Sequence, residues 1–166
     1  LTKKSLDDSL KDLQVDYIDV IHLHRFGEKF EESWKVFEDY KRQGIVKSIA
    51  VCNFYPEQLE KLFKVGEKPS IDQLESSPHF ENGEVVSYLK DHGILHEAWS
   101  PRTAGKSGLL EEEALIEMGK KYGKTPAQIA LKWNVDRGTM VIPKSTNPGR
   151  IKENISLLLK CQLEGE

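Results

Sequence analysis

YIDVIHLHRFGEKFEESWKVFEDYKRQGIVKSIAVCNF, from Tyr17 to Phe54, decides the fold. Tyr17 to Leu23 reads as a strand. From about Phe30 the aromatic residues Trp34, Phe37 and Tyr40 recur near helical spacing, and Ser48 to Cys52 reads as a second strand. Gly44 falls where a helix C-terminus favours a residue that tolerates the left-handed conformation. Strand, amphipathic helix, glycine stop and strand form the repeating unit of a parallel sheet.

The pattern continues on both sides. Upstream, Leu6, Leu10 and Leu13 give an opening helix one apolar face. Downstream, Pro56 suits a first helical turn, and Leu59, Leu62 and Phe63 line a helix ending at Gly66. Ile71 to Glu75 is the third strand. Val85, Val86 and Leu89 mark a helix stopped at Gly93, and Ile94 to Trp99 is the fourth strand. A loop from Ser100 to Leu110 leads to a helix ending near Gly123. The next opens at Thr125-Pro126, where Thr125 and Gln128 have capping-box spacing, buries Ile129, Ala130 and Trp133, and stops at Gly138. Met140 to Ile142 is the fifth strand. A last helix from Asn147-Pro148 shows Ile151, Ile155 and Leu158 on one side. Five strand–helix units without an internal repeat or low-complexity linker predict one domain over residues 1–166.

Composition narrows the class. The 166 residues carry 24 basic and 27 acidic side chains, a net charge of −3, and are 38% hydrophobic. That is globular composition, and no apolar run approaches the roughly 20 residues of a bilayer span. The near-neutral balance argues against nonspecific nucleic-acid binding, which usually needs a clustered basic surface. Two cysteines, Cys52 and Cys161, are too few for a disulfide framework, so a reducing, cytoplasmic setting is expected. Leu1 stands where a methionine would open a chain, inside a helical pattern, and suggests processing or truncation.

Residues able to do chemistry fall just after each strand: His24, Asn53, Gln73 to Pro78, Trp99-Ser100 and Lys144-Ser145. Strand C-terminal ends converge on one face of a parallel barrel, and they also build the site of an open doubly wound sheet. A glycine-rich phosphate fingerprint after the first strand would favour the open sheet, and none is present. Each residue also has a plainer reading. His22 and His24 lie two apart on a strand and could begin a metal site, though no matching ligand set follows. His24 could equally be a satisfied polar residue at a strand end, and Trp99 could be core. Lys144 and Arg150 could be solvated charges, yet cations near a helix start oppose its dipole, and an anionic ligand would explain them. Cys52 reads as a small buried thiol.

The segments DYIDVIHLH (Asp16 to His24), SIAVCNF (Ser48 to Phe54), IDQLESSP (Ile71 to Pro78), EAWSP (Glu97 to Pro101), GKTPAQIALKW (Gly123 to Trp133) and VIPKSTNPGRIKEN (Val141 to Asn154) resemble the aldo-keto reductase family, in that family's order. The resemblance implies the (β/α)8 TIM-barrel fold, here a partial barrel of five parallel strands with flanking helices. It also implies NADP(H) as cofactor and reduction of aldehydes or ketones to alcohols. His24 matches the histidine that orients and polarises the substrate carbonyl. Asn53 and Gln73 match the residues that bond the nicotinamide carboxamide, Trp99 the ring that stacks on nicotinamide, and Ser100 a residue near the diphosphate. Lys144, Ser145 and Arg150 match positions that bind the adenosine 2′-phosphate, and Glu153 and Asn154 positions near the adenine. Two cations and a hydroxyl suit a phosphate dianion.

The departures bear on activity. The family's aspartate, its acid tyrosine and the lysine that lowers the tyrosine's pKa belong to its first three βα units, which have no counterpart among these residues. A whole barrel takes about 250 residues and eight strands. Cys52 replaces a serine, Ser76-Ser77 an aromatic–histidine pair, Arg25-Phe26 a Trp-Pro pair, and Arg102 a leucine. The expectation is therefore an NADP(H)-dependent oxidoreductase of this family whose cofactor-binding portion is present and which is inactive alone. The alternative is a noncatalytic nucleotide-binding or partner-binding homologue. A small carbonyl substrate, no nucleic-acid or membrane partner, and a dimer or swapped oligomer through exposed barrel edges complete the expectation.

Overall fold

The structure, a computed structural model, describes residues 2–103 and 108–156. Leu158, Cys161 and part of the loop after Ser100 lie outside the described residues. The elements follow the order α1 (Thr2–Leu13), β1 (Ile18–Leu23), α2 (Phe30–Arg42), β2 (Val46–Cys52), α3 (Pro56–Phe63), β3 (Ile71–Glu75), α4 (Gly83–Asp91), β4 (Leu95–Trp99), α5 (Glu113–Tyr122), α6 (Pro126–Asp136), β5 (Met140–Val141) and α7 (Pro148–Ile155). A short 3-10 helix, Leu109–Glu111, precedes α5. The five strands form one sheet in the order β1-β2-β3-β4-β5. Pairing is parallel between β1 and β2, between β2 and β3, and between β4 and β5. Sequential parallel neighbours joined through helices are what the βαβ rhythm of the sequence requires.

Strand ends differ from the sequence expectation by one or two residues. β2 begins at Val46 rather than Ser48, because Val46 pairs with Ile18 at the start of the β1 ladder. β5 stops at Val141 rather than Ile142: Pro143 has no N–H to offer a ladder and restricts the residue before it. No helix among the described residues is long and apolar enough to cross a membrane.

The chain divides into two compact units, Leu1–Gln73 with Val85–Leu95, and Leu74–Glu84 with His96–Glu166. In the first, the apolar face of α2 supplies Trp34, Phe37 and Tyr40 to a core shared with Leu6, Ile49 and Leu62. Only Leu6 of the predicted α1 face is buried; Leu13, at the last turn, is 64% exposed. The Tyr40 hydroxyl donates to Asp7 Oδ1 at 2.5 Å, which pins α1 to α2. Gly44 has φ 75°, as its place after α2 predicts. Gly66 acts differently. α3 has already ended at Phe63, and a Cβ on Gly66 would come within 2.5 Å of both Trp34 Cδ1 and Glu38 Oε1. The glycine is there because the fully buried Trp34 ring, whose Nε1–H donates to Glu67 O at 3.0 Å, occupies the space.

In the second unit, Leu109, Leu115, Ile129 and Ala130 form a core, with Leu110, Met118 and Tyr122 packed on it. Thr125 and Gln128 make the predicted reciprocal capping box at the start of α6. Trp133, expected in that core, is half-buried and carries Arg137 over its ring, 4.4 Å from the centroid; Leu131 and Asn134 are buried instead. Two buried polar pairs are built in. Ser76 Oγ donates to Asn134 Oδ1 at 2.9 Å, and His96 Nδ1 lies 3.0 Å from Thr139 Oγ1. Burial, with Arg137 nearby and Glu97 opposing, lowers the His96 pKa to about 4, so this imidazole is neutral at physiological pH.

The Gly66 contact yields a prediction. Gly66→Ala overpacks Trp34 and should lower the unfolding free energy by about 1–3 kcal/mol, read as a fall in the urea midpoint at unchanged slope.

Candidate functional site

The first unit presents His24, Asn53 and Gln73. His24 is the residue after β1, exposed at its C-terminal end. Asn53 follows β2 in the left-handed conformation at φ 57°, which asparagine tolerates better than most side chains. Gln73 lies on β3 directly opposite Cys52 in the parallel register. The Asn53 N–H donates to Gln73 O at 3.0 Å, extending the ladder one residue past β2. Their side chains meet through the thiol between them: Asn53 Nδ2 donates to Cys52 Sγ at 3.2 Å, and Cys52 Sγ lies 3.7 Å from Gln73 Oε1. Cys52 is 4% exposed, the small buried thiol expected from the sequence. Asn53, just after β2, and Gln73, within β3, thus hold two carboxamides on either side of one thiol, a donor and acceptor set suited to another planar amide.

Behind them sits a group that the sequence reading passed over. Asp72 is completely buried; its Oδ1 accepts the Phe54 N–H at 3.4 Å and its Oδ2 has no hydrogen-bond partner among the described residues. Burial raises its pKa to about 7, opposed only by the Phe54 N–H. A charged residue inside a strand of a parallel sheet is the signal that could have drawn attention to it, since both faces of such strands are normally apolar.

The second unit presents the remaining residues. Trp99 ends β4, and Ser100 after it adopts φ 54°, a conformation that costs a non-glycine residue about 1–2 kcal/mol. A cleft of about 410 Å³ gathers Ser100, Arg102, Lys144 and Arg150, with Leu110 and Ile142 as apolar wall. Arg102 Nη2 donates to Lys144 O at 3.3 Å. Three cations around one cleft, with a serine beside them, form a donor set for a polyanion. Arg102 entered the sequence reading only as a departure from a leucine; the structure places it beside Lys144.

Local bonds fix this arrangement. The Asn147 side chain caps α7 by accepting from Arg150 N at 3.1 Å, and the Asn147 N–H donates to Ser145 Oγ at 3.1 Å. Gln128 anchors the far end of α7, its Nε2 donating to Glu153 O at 3.0 Å and to Ser156 Oγ at 2.8 Å. Lys144, Ser145 and Asn154 also line a second concavity of about 840 Å³ walled by Met140, Ile151 and Ile155. Ile151 and Ile155 therefore lie on one side of α7, as their spacing predicts, and both are exposed. Glu153 lines neither cavity and is exposed.

A model of the aldo/keto reductase family matches residues 2–166. The chain belongs to that family. It is 38% identical over 159 residues to methylglyoxal reductase DkgA of Escherichia coli strain K12, covering 93% of this chain and 58% of that protein. It is 37% identical over 158 residues to glyoxal reductase of Bacillus subtilis, covering 94% and 56%. The crystal structure of an aldo/keto reductase from Brucella melitensis superposes with a TM-score of 0.88 at 41% identity, covering 96% of this chain and 62% of that one. The chain thus spans between 56% and 62% of the length of these relatives. Its five parallel strands and flanking helices are part of a (β/α)8 barrel, the fold that the sequence resemblance implied.

The buried acid makes the folded state pH-sensitive. In the folded chain Asp72 holds a proton up to about pH 7, whereas an ordinary aspartate releases it near 3.8. Its contribution to stability is full below about pH 4 and is lost as pH rises through 7. Urea midpoints at pH 5 and pH 8 should therefore differ less in Asp72→Asn than in the parent, the variant gaining most at pH 8.

Proposed function

We propose that this chain carries the NADP(H)-binding part of an oxidoreductase that reduces a small aldehyde or ketone to an alcohol. The observation that carries this reading is the cleft where Ser100, Arg102, Lys144 and Arg150 converge. Its chemistry fits the dinucleotide's phosphates: guanidinium groups bind phosphate in fork geometry, lysine adds a point charge, and the serine adds a hydroxyl. Lys144, Ser145 and Arg150 would hold the 2′-phosphate that distinguishes NADPH from NADH, with Glu153 and Asn154 toward the adenine. Trp99 offers a flat ring for the nicotinamide, and Asn53 and Gln73 offer paired carboxamides for its amide. When bound, NADPH supplies the hydride.

His24, exposed at the end of β1, donates a hydrogen bond to the substrate carbonyl oxygen and polarises it. The names of two relatives, methylglyoxal reductase and glyoxal reductase, favour a small dicarbonyl as substrate. None of the 166 residues matches the family's acid tyrosine, its lysine or its aspartate. Without a positioned proton donor, reduction by these residues alone is slower by about 10²–10⁴-fold. A cytoplasmic setting suits a chain with only two cysteines.

Quenching of tryptophan emission on titration with NADPH and with NADH tests this reading. NADPH should bind more tightly, and a Lys144→Ala, Arg150→Ala double variant should weaken NADPH by about tenfold or more while leaving NADH within about threefold, since each charged hydrogen bond is worth about 1.5–3 kcal/mol. Equal affinity for both dinucleotides, unchanged in the variant, would overturn it.

One observation favours a second reading, association of this chain with another copy. Met140, Ile142, Ile151 and Ile155 are between 40% and 69% exposed, and the larger concavity is walled by three of them. Exposed apolar side chains clustered in this way mark association surfaces. Light scattering over a hundredfold concentration range should show mass rising toward a dimer, and Ile151→Asp, Ile155→Asp should hold the chain monomeric.

A further inference from the structure

The turn between β2 and α3 carries Asn53, and three successive backbone N–H groups there each have a dedicated acceptor. Asn53 N donates to Gln73 O at 3.0 Å, Phe54 N to Asp72 Oδ1 at 3.4 Å, and Tyr55 N to Gln58 Oε1 at 2.7 Å. The first is a ladder bond and the third is half of the capping box that starts α3. The middle bond is of another kind, because it is made by a side chain that reaches back from β3. Asp72 and Gln73 are adjacent near the start of β3, so that strand holds the turn at two consecutive residues, with a carboxyl on Asp72 and a backbone carbonyl on Gln73.

That turn is held in an unfavourable shape. Asn53 sits at φ 57°, which L-residues adopt at a cost. Phe54 is fully buried, edge-to-face with Phe26 at 5.5 Å and 78°, and Phe26 packs on Phe30 at 4.5 Å. Phe26 lies two residues beyond His24. The same bond therefore acts on the turn that aims Asn53 and, through the Phe54–Phe26 contact, on the loop that follows His24.

Burying an acid with one of its oxygens lacking a partner among the described residues is costly, and an apolar residue would pack at that place without the penalty. A carboxyl whose one bond goes to the backbone of a left-handed turn has a reason to be there. We propose that Asp72 is a positioning residue: its buried carboxyl, by accepting the Phe54 N–H, holds the β2–α3 turn in the bend that sets the Asn53 carboxamide beside Gln73. An asparagine in its place would keep the acceptor without the charge. Leucine would keep the volume and lose the acceptor.

The consequence for ligand binding rests on the dinucleotide-binding reading; the clamp itself does not. The test uses the full chain with Asp72→Asn and Asp72→Leu, reading amide hydrogen exchange at Phe54 by NMR with the Asn53 and Tyr55 amides as internal references, together with NADPH and NADH titrations. Asp72→Asn should keep Phe54 protection and both affinities within about twofold. Asp72→Leu should lose Phe54 protection by tenfold or more and weaken NADPH and NADH equally, by about tenfold, because the carboxamide site serves the part that the two dinucleotides share. The Lys144 and Arg150 variant, in contrast, separates NADPH from NADH. If Asp72→Leu does not fold, Asp72→Ala takes its place, with the same losses expected. Unchanged Phe54 protection in the apolar variant overturns the proposal, as does lost protection with both affinities intact. If the parent chain binds neither dinucleotide, the functional reading fails, and Phe54 exchange alone decides the clamp: lost protection in the apolar variant sustains it, and retained protection overturns it.

Discussion

The parallel pairing of β2 with β3 is the constraint from which the first unit's site follows. Val51 opposite Asp72 and Cys52 opposite Gln73 set the register, and the ladder runs one bond further to the Asn53 N–H. Because side chains alternate along a strand, that register puts Cys52 and Gln73 on one face and Asp72 on the other. A slip by one residue would turn Gln73 away and bring a buried acid into its place. That register brings the carboxamides of Asn53 and Gln73 to either side of the Cys52 thiol.

The second unit gathers its cations around one cleft by different means. Its cations come from a loop after β4 and from the segment between β5 and the first turn of α7, none of which is held by a long ladder. Short polar bonds hold them: Asn147 caps α7, Ser145 accepts the Asn147 N–H, and Arg102 donates to Lys144 O. Gln128 both closes the cap of α6 and anchors the last turn of α7, so one carboxamide couples the two helices. Basic residues at a helix start oppose the helix dipole, and a bound phosphate would reverse that penalty. On the dinucleotide-binding reading proposed above, stability and ligand recognition pull against each other at Lys144 and Arg150.

Much of the fold was legible in the sequence because it depends on periodicity. Apolar residues at helical spacing in α2 and α3, glycines after α2, α4, α5 and α6, and the Thr125–Gln128 cap all stand where local chemistry puts them. Burial was less legible than periodicity. Leu13, Ile151 and Ile155 stand at helical spacing yet are exposed, and Trp133, read as buried, turns its ring to Arg137. Spacing tells which side of a helix a residue occupies, not what lies opposite. Gly66 looked like a helix stop and proved to be a space left for Trp34, a requirement set by a residue 32 positions away.

The sequence by itself determined the order of strands and helices, the family, and the polar residues at strand ends, because each of these is written in local spacing or in contiguous motifs. Only the tertiary structure decided that Arg102 joins Ser100, Lys144 and Arg150 at one cleft, that Cys52 lies between Asn53 and Gln73, and that Asp72 supports the turn between them. Those relations join residues from different strands and loops. Their chemistry depends on burial and on distances of a few ångströms, and no pattern along the chain encodes either.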